Sequence, residues 1–322
     1  MVNPLIASPL SSRTVVIGAG MAGLTCATAL RAAGHAVVVV DKARGPGGRM
    51  STRRQTLEAG DVTFDHGAPG FTAIGADFKA RVDTWRLQGL VAAWSGADPG
   101  TFVGIPAMNA PLKAMAGGLE AQWGQAVTQI VQAPGGWRLD GPPLADAVFD
   151  RVVVAIPAEQ AAVLLAEPLA DVAALAKASP STPCWTLMVV FAAPVAPGLA
   201  VLSGEGPALW AGREASKPGR TGPEAWVIQA SPDWSRENLE LSPEEAAPHL
   251  LQGFQAALGG PLPPVVSAVA HRWRYARPTG PARDPVWDPS RGLGVCGDWL
   301  GGGSVEGAWR SGRQLARLMT QA

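Results

Sequence analysis

Cysteine, histidine and tyrosine are scarce in this chain: 322 residues include three cysteines, four histidines and one tyrosine. Cys26, Cys184 and Cys296 lie far apart and none belongs to a C-x-x-C. That excludes a disulfide framework and a structural zinc site, leaves no metal site to expect, and suits a reducing, cytoplasmic compartment. Cys26, inside the first expected helix, reads as a buried structural thiol. An excess of one charge is also missing, since 26 Lys and Arg balance 26 Asp and Glu. With no overall basic field, a nucleic-acid partner is not expected. No apolar run nears the roughly 20 residues of a membrane-spanning helix, and Ala36 to Val40 has the length of a strand. Met1 to Arg13 lacks the basic start and apolar centre of a signal peptide and reads as a short disordered leader. Internal repeats and charge blocks are absent as well.

What is present begins with 47% hydrophobic residues, enough for a large core and, at this length, for two domains. Twelve tryptophans stand against the single tyrosine. Most read as packing residues, although a cleft for a flat conjugated substrate uses such side chains too.

Val15-Val16-Ile17 reads as a buried parallel strand, and Gly18-Ala19-Gly20-Met21-Ala22-Gly23 follows where a strand hands over to a helix. The second apolar run ends on Asp41, 18 residues past Gly23. This is a βαβ unit with a dinucleotide fingerprint. Gly18 permits the tight turn, Gly20 lets backbone approach a pyrophosphate, and Gly23 lets helix pack on strand. Phosphates belong at the N–H groups of Met21 and Ala22, where the helix dipole favours negative charge. An acid at position 41 suits the ribose of NAD or FAD better than the 2′-phosphate of NADP. The fingerprint alone does not separate NAD from FAD.

The loop after Asp41, with Lys42, Arg44 and Gly47-Gly48-Arg49-Met50, can wrap a second set of phosphates; otherwise it is a solvated basic turn. His66, in Phe64-Asp65-His66-Gly67-Ala68, is on its own more readily a satisfied structural residue than a base. Trp85 to Trp94 reads as a helix and turn in a second domain, and Phe102 to Ala110 leads into a helix ending near Gly117. Ala126 to Val131 and Trp137 to Leu139, joined by Gly135-Gly136, form a hairpin, and Phe149 to Pro157 is a further buried strand containing Ala155. Beyond Ala158, a helical Ala161–Ala178 precedes strands at Trp185–Phe191 and Trp226–Ala230, separated by Pro- and Gly-rich connectors such as Lys217 to Pro223. Ser242-Pro243-Glu244-Glu245 marks a helix start. Val269 to Ala276 has two readings: a basic strand edge with aromatic packing, or a strand presenting His271, Arg272, Trp273 or Arg274 to a flat or phosphate-bearing substrate. Finally, Leu293 to Asp298 reads as a strand ending on an acid, Trp299 to Gly303 as a glycine-rich loop, and Ser304 to Trp309 as a helix start. The fold expected is α/β. It comprises a discontinuous Rossmann-like domain, 1–75, 98–158 and 266–322, around a central parallel sheet. Residues 76–97 and 159–265 would form a second α+β substrate or lid domain.

These motifs resemble the flavoprotein amine oxidase superfamily, whose fingerprint and ribose acid are followed by a G-G-R-x touching FAD, here Gly47 to Met50. Within it, the bacterial renalase family is the nearest match. That rests on V-V-I-G-A-G-M-A-G-L, D-K-A-R-G-P-G-G-R-M-S, F-D-H-G-A-P-G-F-T-A, F-V-G-I-P-A-M-N-A, H-R-W-R-Y-A and G-D-W-L-G-G-G-S-V-E-G-A. The match covers most of the chain and is thinnest over 158–266. It implies FAD at Gly18, Gly20 and Met21 to Gly23, with Asp41 on ribose, Lys42, Arg44, Gly48 and Arg49 near phosphates, and Met50 alongside. It places Gly67 and Ala68 at the flavin edge, Val127 at adenine and Ala155 beside the cofactor. Gly297, Asp298, Ser304, Val305 and Ala308 would lie around ribityl and pyrimidine, where a helix N-terminus stabilises the anionic reduced ring. Gly301 to Ser304 lacks the cysteine of covalently flavinylated monoamine oxidases, which implies non-covalent FAD. One departure stands out. Bacterial renalases carry Gln-Tyr where this chain has Pro69-Gly70, a change bearing on substrate identity and not on FAD.

The resemblance implies an oxidase that takes a hydride from a 2- or 6-dihydro isomer of NAD(P)H onto flavin N5 and passes electrons to O2, giving peroxide. Hydride transfer needs stacking and orientation more than an acid–base pair, consistent with the lack of a nucleophile triad. No catalytic residue is assigned; His271, Arg272, Trp273, Trp299 and His66 are candidates for the substrate wall. Two alternatives are an amine oxidase or desaturase with another substrate, and a non-catalytic flavin-binding redox sensor. Oligomeric state and physiological acceptor are not legible in the sequence.

Overall fold

A computed structural model describes residues 12–58, 60–141, 144 and 147–321; all but the last two residues of the expected leader lie outside them. Two sheets divide the apolar residues. The first has six strands in the order Val286–Asp288, Leu293–Val295, Arg151–Val154, Arg13–Ile17, Ala36–Asp41 and Glu120–Trp123. All pairings are parallel except that of Val286–Asp288. Val16 lies in register between Val39 and Val153, and all three are fully buried. Strands covered on both faces need such unbroken Val/Ile runs. This is the expected Rossmann-like α/β architecture.

The helices Met21–Ala32 and Val305–Gln321 pack against each other on one face of that sheet. Their approach is close: a Cβ on Gly312 would fall on the Ala22 carbonyl, and one on Gly23 would fall on the Gly18 carbonyl. Glycine at these positions brings two helix N-termini to the same end of the sheet. Cys26 and Cys296 meet beneath them as buried free thiols.

The second sheet is antiparallel, in the order Val201–Ser203, Trp210–Arg213, Glu224–Gln229, Ser181–Phe191 and Val265–Pro278. Along Ser181–Phe191 the side chains alternate, as the two-residue period of a strand requires. Trp185, Leu187, Val189 and Phe191 pack with Leu250 and Phe254 of the helix Pro243–Leu258. Met188 and Val190 face the other way, onto Val62 and Phe64 of the hairpin Arg53–Leu57/Gly60–Phe64. The helix Pro243–Leu258 opens at Ser242 as expected. Ser242 Oγ accepts from the Glu245 N–H at 3.2 Å, and the Glu245 carboxylate accepts from the Ser242 N–H at 2.8 Å, a capping box.

Several boundaries differ from expectation. The boundary at 266 falls at the start of a strand that belongs wholly to the second sheet, so the return to the parallel sheet comes after Pro278. The helix Ala76–Leu87 does not simply join the second sheet: Phe78, Val82 and Trp85 share a core with Met21, Leu24 and Trp309. Ala161–Ala178 is two helices, Ala158–Leu164 and Ala170–Lys177, parted around Pro168, whose missing N–H and ring disfavour an unbroken helix there. Val127 precedes its expected strand, which runs Gln129–Ala133. Asp298–Gly301 is a helical turn and not loop.

Candidate functional site

A cleft of about 2140 Å³ opens where the two helix N-termini converge, between the parallel sheet and the inner face of the second sheet. Its size exceeds the ~300–1,000 Å³ of a typical small-ligand pocket and leaves room for an extended dinucleotide with a second molecule. At one end lies the glycine turn. Gly18 has φ +109 and its N–H donates to Val40 O at 2.8 Å; a Cβ there would press on Ala155 O. Gly20 is the uncapped N-cap of Met21–Ala32, and a Cβ on it would meet nothing within 4 Å, so its backbone faces open cleft. Gly48, at φ +54, approaches from the facing loop, its Cβ position 3.3 Å from Gly20 Cα. Two glycine turns thus leave a slot lined by backbone. The opposite wall includes Gly297, Ser304, Val305 and Ala308 at the N-terminus of Val305–Gln321, where Ser304 Oγ accepts from the Gly307 N–H at 2.9 Å.

Gly23 supports this slot from behind. The other residues expected at a cofactor, from Met21 and Ala22 to Val127 and Ala155, line the cleft. Asp41 lies at its edge, accepting from the Ala19 N–H at 2.6 Å and the Ala43 N–H at 2.7 Å, so its carboxylate braces the glycine turn. Lys42 and Arg44 line the rim, and Met50 is buried to 3% exposure. Arg49 is not left free for phosphate. Its guanidinium donates to Asp298 Oδ1 at 2.6 Å and closes an ion pair across the cleft. Two converging helix N-termini, one of them without a side-chain cap, a backbone-lined slot and a braced acid at the end of the second strand form a set of groups suited to FAD.

The substrate-wall candidates separate. His66, His271 and Trp273 come together, with ring centroids 5.1 Å apart for His66–His271 and 4.6 Å for His271–Trp273. Trp273 Nε1–H donates to His66 O at 2.9 Å. Burial pushes the His66 imidazole down to about 4, with His271 and Arg53 adding to the effect, and burial lowers His271 in the same direction. Both rings are therefore neutral at pH 7. Arg272 also lines the cleft, but its guanidinium bonds the carbonyls of Leu239 and Leu241 and lies over the Trp185 ring. Trp299 is not in the wall at all. It is 1% exposed in the core, and its Nε1–H donates to Ile156 O at 3.2 Å. Gly70 has a local reason: a Cβ there would lie 2.6 Å from Thr101 Cγ2, so any side chain would have to displace Thr101.

One part of the site was not foreseen. Asp65, just before His66, sits in a buried cluster with Lys217, Glu214 and Arg220, whose side chains are at most 4% exposed. Lys217 Nζ is 3.2 Å from Asp65 Oδ2 and 2.8 Å from Glu214 Oε1, and Arg220 is 2.5 Å from Asp65 Oδ2. Burial alone would raise the Asp65 carboxyl, but the charges of Lys217 and Arg220 outweigh it and hold it at about 2. Burial raises Glu214, against the pull of Lys217. Lys217 and Arg220 fall in a stretch that reads as a plain connector. The readable signal was Glu214, Lys217 and Arg220 recurring every third residue there.

Residues 88–320 match the family described as flavin containing amine oxidoreductase, and residues 16–85 match the NAD(P)-binding Rossmann-like domain. A hydroxyneurosporene desaturase of Rubrivivax gelatinosus is 40% identical over 106 residues, 29% of this chain and 19% of that protein. An L-amino-acid oxidase of Crotalus adamanteus is 45% identical over 53 residues, 16% of this chain and 10% of that protein. The chain thus spans under a fifth of the length of these curated relatives. Among solved structures, cyclohexylamine oxidase from Brevibacterium oxydans matches at TM-score 0.68 and 14% identity, over 97% of this chain and 99% of that one. A putrescine oxidase matches at TM-score 0.67 and 15% identity, over 97% of this chain and 100% of that one. At these identities the structures show a shared fold.

Proposed function

Because the chain belongs to the flavin containing amine oxidoreductase family and is an FAD-dependent oxidoreductase, we propose that its electron donor is an anionic, flat molecule of the dihydronicotinamide class. In the renalase-like form of this reading, a 2- or 6-dihydro isomer of NAD(P)H and a proton react with O2 to give NAD(P)+ and hydrogen peroxide. Bound FAD supplies the two-electron acceptor. The protein supplies position, charge and exclusion of water.

The supporting observation is the charge of the substrate side. Arg53 and Arg277 line the cleft there, and neither guanidinium has a carboxylate partner among the described residues. The nearest acid to the imidazoles, Asp65, is already paired with Lys217 and Arg220. An anionic donor finds two unpaired cations, and a protonated amine finds two cations and two neutral rings. His66, His271 and Trp273 would flank the donor, without a proton to give at pH 7 from either ring. Gly18, Gly20, Met21, Ala22 and the N-terminus of Val305–Gln321 would hold the pyrophosphate and the flavin end, Asp41 a ribose. Arg49 would act through Asp298 and not on phosphate directly. The cofactor would be non-covalent, since the cleft cysteine, Cys184, is raised by burial and is a poor nucleophile. A cytoplasmic setting agrees with three free cysteines, and no described helix is long and apolar enough to cross a membrane.

An amine donor is the second reading, favoured by Phe71, Trp94, Trp210 and Trp273 along the same cleft. Anaerobic mixing of the yellow holoenzyme with isomeric dihydronicotinamides and, separately, with primary amines decides between them. Rapid bleaching by an isomer is the expected result. Bleaching by amines alone would overturn the reading.

A further inference from the structure

Four consecutive residues, Asp65 to Ala68, are each tied to a different element; Asp65 is fully buried and the other three line the cleft. The Asp65 side chain joins the buried cluster; its Oδ1 accepts from Thr52 Oγ1 at 2.7 Å and from the Met108 N–H at 3.0 Å. The Asp65 N–H donates to Glu214 Oε1 at 3.2 Å. His66 O accepts from Trp273, Gly67 O accepts from Gln229 Nε2 at 2.6 Å, and the Ala68 N–H donates to Arg49 O at 2.8 Å. Glu214, Lys217, Arg220, Gln229 and Trp273 all belong to the second sheet or its connector, whereas Arg49 belongs to the loop after the expected ribose acid. The turn is therefore a seam between the two layers.

Two buried ion pairs are a poor way to gain stability, because desolvation cancels most of their attraction and apolar residues of similar volume often serve as well. Their geometry is specific. Lys217 Nζ hydrogen-bonds both carboxylates, whereas Arg220 reaches Glu214 only at 3.7 Å; the Lys217 Nζ also lies 5.3 Å from the centroid of the Trp94 ring, itself part of the cleft wall. Arg220 links Asp65 to the Gly104 and Pro106 carbonyls. Removing Lys217 leaves Asp65 with Arg220 and takes from Glu214 its closest cation, leaving it the Asp65 N–H at 3.2 Å and Arg220 Nε at 3.7 Å.

We propose that Lys217 is a positioning residue: through Asp65 it sets the His66–Gly67–Ala68 turn against the bound cofactor, and so tunes the reactivity of FAD without touching it. This rests on the assignment of the cleft as the FAD site. By formal charge the cluster balances, two cations with two carboxyl groups. A single Lys217→Met change leaves excess buried negative charge, whereas Lys217→Met with Glu214→Gln restores the formal balance but not the lysine bridge. Stability and position are thereby separated.

The test uses the full-length holoenzyme and three readouts: FAD dissociation constant by fluorescence, visible circular dichroism of the bound flavin, and thermal midpoint. Lys217→Met is expected to lower the midpoint and alter the visible dichroism. The double variant should recover most of the midpoint and keep the altered dichroism, with FAD affinity within about threefold of wild type, less than one 1.4 kcal/mol step. Gln229→Leu, which removes a bond to the same turn without changing charge, should alter the dichroism alike. If the double variant and Gln229→Leu both give the wild-type dichroism, Lys217 is only a stabilising residue and the inference is overturned. If wild-type protein releases FAD to buffer on desalting and Gly20→Val does not weaken FAD binding, the cleft assignment fails, and the inference falls for that separate reason.

Discussion

Acid should destabilise this protein well before it protonates Asp65, and His66 is the reason. Its ring is 7% exposed, one nitrogen, Nδ1, has no hydrogen-bond partner, and burial with neighbouring His271 and Arg53 takes it from 6.5 to about 4. Because the folded value is depressed, the unfolded chain binds the proton more tightly, and stability falls as pH drops from about 6.5 to about 4. Above that window the neutral ring is at no disadvantage; below it both states are protonated and this contribution stops growing. A displacement of about 2.5 units at about 1.36 kcal/mol each corresponds to about 3 kcal/mol lost across the window. His271, lowered in the same direction, adds to it. Asp65 does not contribute there, because its carboxyl stays charged until about 2 and its stabilisation is lost only below about 4. Urea unfolding at constant ionic strength from pH 7.5 to 4 measures the slope. His66→Gln should flatten it by most of that amount, and an unchanged slope in the variant would refute the assignment of the proton to His66.

Other outcomes follow from the same geometry. A Cβ on Gly67 would lie on the Arg49 carbonyl, so Gly67→Ala should cost about 1–3 kcal/mol in urea and weaken FAD retention on gel filtration. Arg49→Met leaves Asp298, 8% exposed, without its cation; a loss of about 1–3 kcal/mol in urea unfolding at pH 7 is expected. Trp299→Phe should leave the rate of flavin bleaching at saturating donor unchanged and cost about 1 kcal/mol, for the lost bond to Ile156 O. With a phosphate-bearing dihydronicotinamide, Arg53→Ala should lower kcat/KM while preserving kcat, and added salt should lower it in wild type more than in the variant.

The motifs legible in the sequence are those whose constraint is local. Gly18, Gly20 and Gly23 are needed because backbone must turn and approach backbone within six residues, and Asp41 ends a strand whose neighbours are equally apolar. That pattern recovers the parallel sheet and the slot of the cleft. The misreadings share a different cause. Trp299 follows Asp298 in a glycine-rich stretch that reads as loop, yet a helical turn rotates its indole into the core under Ile156. Arg272 and Trp273 are adjacent, and in a strand adjacent side chains take opposite faces. Trp273 therefore turns to His66 while Arg272 turns to Trp185 and the Leu239 carbonyl. The strand was legible, but which of its faces meets the cleft depends on its pairing with Ser181–Phe191, where Cys184 lies opposite Trp273 and Trp185 opposite Arg272.

The same consideration explains the silence of Lys217 and Arg220. A lysine in a Pro- and Gly-rich connector belongs in water on composition alone, and only an acid more than 150 residues away reverses that. Asp65 likewise reads as one letter of a D-x-G-A segment, its purpose hidden until the connector folds over it. Once the two halves meet, each charge finds the other in a place from which water is excluded. Neither could be buried alone, since an unpaired buried ion costs several kcal/mol. The two layers must therefore close together for the His66–Ala68 turn to exist in this form. A site whose critical contacts span the layers is read last, while the glycine turn, complete within one βαβ unit, is visible at once.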